Sequence, residues 1–416
     1  MELYNWDAVS IASVQRINEA LRNNADELLL TFEYADAQAV ICGEFGSWQI
    51  AAGTAGSLVY LDLPIDSGTL QPPTSQAQNQ NGTDVAGVIV RVEVPLRIMP
   101  PPAQGGDRTL CFDLRSGEGD DSDAGVRFVH TEDPENRLDE LSQAVLGNAV
   151  ARCLTANGAK VSYVFAKLGV AATNYSWLTL PYYHWCQIQT VKGPGYLAVL
   201  GSATADEKER VVDSRALTGD PAAVFMVSQT LFMSGAVLPH MNNSFVKGSR
   251  FHAHGDHLRL AKPINLPTRN FSFLYTARPV IDKMDLYISG SNMVVVTDGH
   301  MGLPLGAQLT FTVTTKLPFT YDPGKRGVAF KPDKNPDVKT HVKLLPGLDT
   351  IVGWFVRWIV SFFNEGINGT VRSIASALQG MSSPPPAAVS WTGLREFLLT
   401  DAKLDGCLVF IDGSAN

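Results

Sequence analysis

A chain of 416 residues is too long for one ordinary core, so two domains are expected, and 45% hydrophobic with 18% charged residues describes a packed globular protein. A net charge of −8 excludes a surface built for nucleic acid, which would be basic. The five cysteines, Cys42, Cys111, Cys153, Cys186 and Cys407, are odd in number and lack CxxC spacing, so reduced, buried thiols are expected rather than a disulfide scaffold.

The opening MELYNWDAVS has neither a basic n-region nor an apolar h-region, so no classical signal peptide is expected and the chain should fold in a bacterial-type cytoplasm, any release needing another route. A first helix is expected from Trp6 to Arg22, with Ile11, Val14, Ile17 and Leu21 as its stripe. Short strands follow at Leu28–Phe32, Ala39–Cys42, Trp48–Ala51, Leu58–Leu63 and Val85–Val94, with Ser67–Asp84 a polar loop of low complexity. Leu110–Leu114 and Val126–Val129 flank the acidic tip GEGDDSDAG. Asp121, Asp123 and Glu132 fall at calcium-loop positions, but Gly125 and Val126 break the EF-hand pattern, so a solvated hairpin tip is the reading.

Asp133-Pro134 reads as a cap and first-turn proline of a second helix whose stripe is Leu138, Leu141, Val145, Ala149 and Cys153. Strands at Val161–Phe165, Trp177–Ile188 and Tyr196–Leu200 come next. The charged run Ala205–Arg215 reads as an interdomain connection, giving domains 1–204 and 216–416. Asp220-Pro221 then repeats the cap, with Phe225, Gln229, Phe232 and Ala236 on one helical face. Strand-like runs fill Phe245–Phe330, among them Phe271–Tyr275, Met284–Ile288, Met293–Val296 and Leu309–Val313.

The most apolar stretch, Leu345–Gly380, reads as a long helix capped by Asp349 or Thr350. From Ile351 to Phe363 only Gly353, Arg357 and Ser361 interrupt it, so it must be enclosed. It is shorter than the ~20 residues of a membrane span and carries Arg357 near its middle, so the chain itself must enclose it and no transmembrane segment is expected. After a Pro384–Pro386 break come a short helix, Leu394–Leu399, and a strand, Cys407–Ile411. Helix starts at positions 6 and 134 and again at 220 and 348 are equally spaced, so helix, meander and long helix occur twice, as in a tandem duplication. A curved antiparallel sheet wrapped along such a helix leaves an apolar seam that suits an acyl chain.

The pieces MELYNWDAVSIASVQRINEAL, ICGEFGSWQIAAGTAGSLVYLDLPIDSG (Ile41–Gly68), NYSWLTLP (Asn174–Pro181) and GAVLPHM (Gly235–Met241) run the length of the chain, the pattern G-x-F-G-x-W-x-I at Gly43–Ile50 being the most specific. On these the chain resembles the clostridial forty-seven-kilodalton protein family of OrfX-type toxin gene clusters, itself similar to the tubular lipid-binding (TULIP) superfamily. The resemblance implies an α+β fold of two tandem TULIP-like modules, each a strongly curved antiparallel sheet wrapped around long helices. It also implies an accessory role beside a toxin or sister cluster proteins, and no catalytic residues or cofactor. Phe355, Trp358, Ile359 and Phe362 are the candidate lipid contacts, although such a stripe is also what a plain core looks like. Lys325, Arg326 and Lys331 are the candidate headgroup rim, with Lys247 and Arg250 as a second.

One motif opposes that reading. His252, His254, Asp256 and His257 spell H-x-H-x-D-H, a zinc-hydrolase pattern of the metallo-β-lactamase superfamily. The preceding Val246–Phe251 is no apolar strand, and only Asp282, Asp298, His300 and His341 follow as further ligands, so a metal site is the lesser reading. His184 has no nucleophile pattern beside it and reads as a half-buried strand residue, and Cys186 lacks electropositive neighbours. The expectation is a non-enzymatic protein that binds lipid or an apolar surface. Its rivals are a protein-binding scaffold without lipid and, third, the zinc hydrolase.

Overall fold

The computed structural model describes residues 1–53, 58–71, 82–101, 107–115, 125–169, 176–190, 195–206, 208–246, 249–272, 275–324, 327–331, 333, 335–343, 349–379, 389–394 and 397–413. Its first regular element is a strand, Ala8–Ser13, where a helix was expected. Five of its six residues are buried, and a strand covered on both faces is apolar throughout, so it shows no period of two to separate it from a helix. The helix α1 (Val14–Asn23) begins only where Ser13 accepts a hydrogen bond from the Arg16 N–H, and Ile11 belongs to the strand.

The second half opens the same way. Ala223–Ser228 is a buried strand, and Ser228 Oγ accepts from the Leu231 N–H at 3.1 Å. A composite helix follows: α3 (Gln229–Leu231), a π-helical segment Phe232–Val237, and α4 (Leu238–Ser244) with Pro239 in its first turn. The cap is therefore Ser228 rather than Asp220, and Phe225 sits on a strand rather than a helical face.

These two opening strands pair antiparallel, Ala8 against Val227 and Ser10 against Phe225. They form the centre of a six-stranded sheet ordered Tyr182–Ile188, Tyr196–Ser202, Ala8–Ser13, Ala223–Ser228, Cys407–Asp412, Leu399–Leu404. Each half contributes its opening strand and its closing hairpin, so the order reads the same inward from either edge. The run Ala205–Arg215 joins two strands of this one sheet and is tied down locally: Trp6 Nε1 donates to the Glu209 carbonyl at 2.8 Å, and Asp213 accepts from the Glu2 N–H. Leu399 opens a strand instead of closing a helix. Residues 395–396 and the proline break at 384–386 lie outside the described residues.

Each half also builds a strongly curled antiparallel sheet, so the fold is α+β with few helices. The first sheet runs Thr31–Ala35, Val40–Phe45, Leu58–Gln71, Ile89–Met99, Arg108–Phe112, Val164–Leu168, and ends on Val389–Trp391 from the far end of the chain. Leu58–Gln71 continues through Ser67–Gln71, expected as loop, because pairing with Val40–Phe45 satisfies the backbone of a side-chain-poor segment: Gly43 faces Gly68, and a Cβ on Gly43 would collide with the Ser67 carbonyl and stand 2.6 Å from Gly68 Cα. The acidic tip at 116–124 lies outside the described residues.

Helix α2 (Glu140–Ala156) is capped by Asp139, which accepts from the Ser142 N–H at 2.8 Å; Asp133 instead accepts from the Leu138 N–H ahead of the helix. Of the expected stripe Leu138, Ala149 and Cys153 are buried and Val145 is half-buried, joined by Leu146, Val150 and Leu154, whereas Leu141 in the first turn is 73% exposed. The cysteines are all unpaired, with Cys153, Cys186 and Cys407 buried but Cys42 exposed, contrary to the expectation for that residue.

The second curled sheet runs Phe251–His254, His257–Leu260, Val280–Ser289, Asn292–Gly302, Gln308–Asp322, Gly327–Phe330, with Asp337–Lys343 paired along Gln308–Asp322. Helix α5 (Asp349–Gln379) packs on its inner side, where Phe311 and Phe355 have ring centroids 5.0 Å apart. None of the helices among the described residues is long and apolar enough to cross a membrane.

Candidate functional site

Helix α5 is enclosed on one side only. Phe355, Ile359, Phe363, Ile367 and Ile374 are buried, as steps of three and four residues require. Trp354 is 42% exposed and Trp358 and Phe362 are half-buried, so full enclosure, expected from the apolar run, does not occur. The structure brings the four candidate lipid contacts together but divides their roles. Phe355 and Ile359 are core. Trp358 lies between Phe355 (6.0 Å) and Phe362 (5.6 Å) as a ring ladder along the helix edge.

Beneath the helix, one stretch of the seam is tightly packed. Met241, Met284, Leu286, Met293, Val295, Leu317, Ile367 and Ile374 surround a cavity of about 10 Å³, room for roughly one water. Of the expected rim, Lys331 is exposed just beyond Gly327–Phe330, the strand packed against α5, and Arg250 is exposed as well. Lys247, Lys325 and Arg326 lie outside the described residues.

The histidine motif forms a hairpin rather than a metal cradle. Gly255 takes φ +62 in the turn, which sets His254 directly opposite His257. His257 Nδ1 is 2.9 Å from Asp285 Oδ1, and its ring stacks on Tyr287 at 4.8 Å. Asp256 is 3.6 Å from His257 Nε2. Among the described residues no group of three or more His, Cys, Asp or Glu is arranged to hold a metal ion.

The further ligands proposed downstream are drawn into a different feature. On the outer face of the same sheet, His300 Nδ1 meets Asp282 Oδ2 at 2.7 Å and Thr312 Oγ1 donates to Asp298 Oδ1 at 2.7 Å. A groove of about 440 Å³ runs over Asp282, Asp298, Thr310, Thr312, Lys339 and His341. The signal for it was present as alternation: D-x-H at 298–300, T-x-T at 310–312 and K-x-H at 339–341 each put two polar residues on one strand face. What sequence could not supply was the register that sets Asp298 beside Thr312 and Lys339.

The G-x-F-G-x-W-x-I pattern also resolves into packing. Phe45 stacks near Phe32 (4.4 Å) and edge-on to Trp48 (6.1 Å), with Ile50 buried beside them. His184 is half-buried on its strand, 5.4 Å from the Trp6 ring, and burial pushes the Cys186 thiol up to about 11, where it is not nucleophilic.

A family model described as "OrfX-like: Protein OrfX2/OrfX3/P47" matches residues 4–383. Two solved structures share the fold over whole chains. P47 from Clostridium botulinum A2 superposes with a TM-score of 0.77 at 17% identity, covering 100% of this chain and 98% of that one. P47 of Clostridium botulinum E1 gives 0.75 at 19% identity, covering 99% and 100%. No curated protein matches the sequence.

Proposed function

The chain belongs to the OrfX-like family, and from that premise we propose that it is a non-enzymatic accessory protein of a bacterial toxin gene cluster, engaging lipid at an apolar surface through TULIP-like modules that span 1–204 and 216–416. The observation that carries the lipid reading is the edge of α5. Trp354, Trp358 and Phe362 recur every four residues and stay partly in solvent although buried Phe355 and Ile359 show that apolar cover was at hand. Indole and phenyl rings at a helix edge suit the boundary between headgroup and acyl chain. Of the expected headgroup rim, Lys331 is exposed just beyond Gly327–Phe330, a strand that packs against α5. The sheet-wrapped helices and the palindromic shared sheet support the paired-module reading.

A second reading, a scaffold that binds a toxin or sister protein without lipid, is favoured by the tight packing around Met241, Met284, Ile367 and Ile374, where the cavity has room for roughly one water. The two separate on lipid. Native mass spectrometry and solvent extraction of the full chain, with flotation on phosphatidylcholine vesicles, should show co-purifying lipid or saturable binding. Trp354→Ser with Phe362→Ser should weaken that binding while the protein still folds. No lipid and no vesicle binding of any composition would leave the scaffold.

A further inference from the structure

Five of the chain's eight histidines lie on one surface, the outer face of the second curled sheet, on the opposite side from α5. They are His252, His254, His257, His300 and His341, spread from the Phe251–His254 edge to the Asp337–Lys343 strand. Alternation places them there: their neighbours Leu258, Leu286, Met301, Leu309 and Phe311 fill the inner face.

Fixed charges of both signs surround them. His252 stands opposite Arg259, which stands opposite Asp285; His254 stands opposite His257, which is held by Asp285 with Asp256 at the turn. His300 is paired with Asp282, two residues from Asp298, and shares Thr310 with His341; Asp298 is opposite Thr312 and thence Lys339. Lys283 faces Asp298, and Lys316 and Asp337 lie on the same face. Arg259, Lys283, Lys316 and Lys339 thus stand among Asp256, Asp282, Asp285, Asp298 and Asp337, a face of mixed sign. Imidazoles as a class change charge between about pH 5 and 8. Protonated imidazoles would add positive charge to this face of a molecule whose net charge is −8.

We infer that this face is a docking surface for anionic bilayers, engaged at mildly acidic pH and released near neutrality. The inference rests on the lipid reading above and adds a second, electrostatic contact to it. A bilayer fits better than an acidic protein because the face offers little exposed apolar area: Tyr287 is half-buried and stacked on His257, and the exposed large apolar residues described, Leu30, Val129, Leu141, Tyr182, Val211 and Trp354, all lie off it. Diffuse cationic charge is what an anionic leaflet rewards.

The test is flotation of the full chain with phosphatidylcholine vesicles, with and without phosphatidylserine, at about pH 5.5 and about pH 7.5. The wild type should bind phosphatidylserine vesicles more tightly than phosphatidylcholine vesicles at the lower pH, and that increment should vanish at the higher pH or in high salt. His252→Gln with His254→Gln and His341→Gln removes three exposed histidines from strand surfaces and should leave the melt unchanged. At the lower pH it should weaken binding on the order of a hundredfold, about fivefold for each cationic group lost. Binding that ignores pH, phosphatidylserine or the triple substitution overturns the inference, and if Trp354→Ser still weakens it the α5 reading survives alone. Binding of polyglutamate but not of vesicles at the lower pH overturns it in favour of an acidic protein partner. No vesicle binding under any condition removes both readings.

Discussion

Ser10 and Trp391, 381 positions apart in sequence, are joined by a buried hydrogen bond: Trp391 Nε1 donates to Ser10 Oγ at 2.9 Å. Ser10 lies on the central strand of the shared sheet and Trp391 on the last strand of the first curled sheet, so the bond ties the two ends of the chain together. Ser10→Ala strands a buried indole N–H, and a loss of about 1–3 kcal/mol is expected. Urea denaturation followed by tryptophan fluorescence measures it. An unchanged midpoint would mean that the indole finds another acceptor.

Phe355 is fully buried against Phe311, between α5 and the second curled sheet. Phe355→Ala should cost about 3–5 kcal/mol. Phe355→Asp, which buries a charge, should unfold the C-terminal half outright. A Phe355→Asp protein that melts like the wild type would show α5 to be detachable, and the core assignment of its inner face would fall.

Gly43 tests whether the G-x-F-G-x-W-x-I pattern is structural. Gly43→Ala forces a methyl group onto the backbone of Ser67 and Gly68, where no flexible side chain can give way. A loss of about 1–3 kcal/mol is expected, with vesicle or partner binding per folded molecule unchanged. Lost binding in a protein of normal stability would instead make the pattern a contact site.

Asp412 predicts the pH dependence. Burial pushes its carboxyl from 3.8 up to about 6, against the opposing effects of the Leu398 N–H and Arg16. A raised folded value means that the folded state holds the proton more tightly, so this contribution is complete below 3.8 and is lost as pH rises through about 6. Asp412→Asn should therefore raise stability near neutrality, by about 3 kcal/mol at most, and change little below the unfolded value. Melting curves across that range check the sign; a stabilisation confined to acid would reverse it.

The histidine hairpin gives a chemical prediction. His257 is engaged by Asp285, so purified protein should carry far less than one zinc per chain, and His254→Ala with Asp256→Ala should leave folding intact. Stoichiometric zinc by elemental analysis, lost in the double variant, would restore the hydrolase reading.

Much of this protein is set locally and can be read from its residues. The long helix, the alternating strands Met284–Ile288, Met293–Val296 and Leu309–Val313, and the family resemblance at Gly43–Ile50 all follow from period, punctuation and composition, because side-chain period and turn chemistry act over a few residues. Tertiary structure decided the rest. Ala8–Ser13 and Ala223–Ser228 read as helix because apolar residues on both faces erase the period of two, and only their pairing with each other makes them strands. The edge of α5 is partly exposed because the sheet covers one side of an all-apolar segment, which no pattern within the segment encodes. Five histidines scattered from position 252 to 341 share one face for the same reason: strand alternation assigns each to a side, but the register between strands, fixed by pairing over long separations, brings them together.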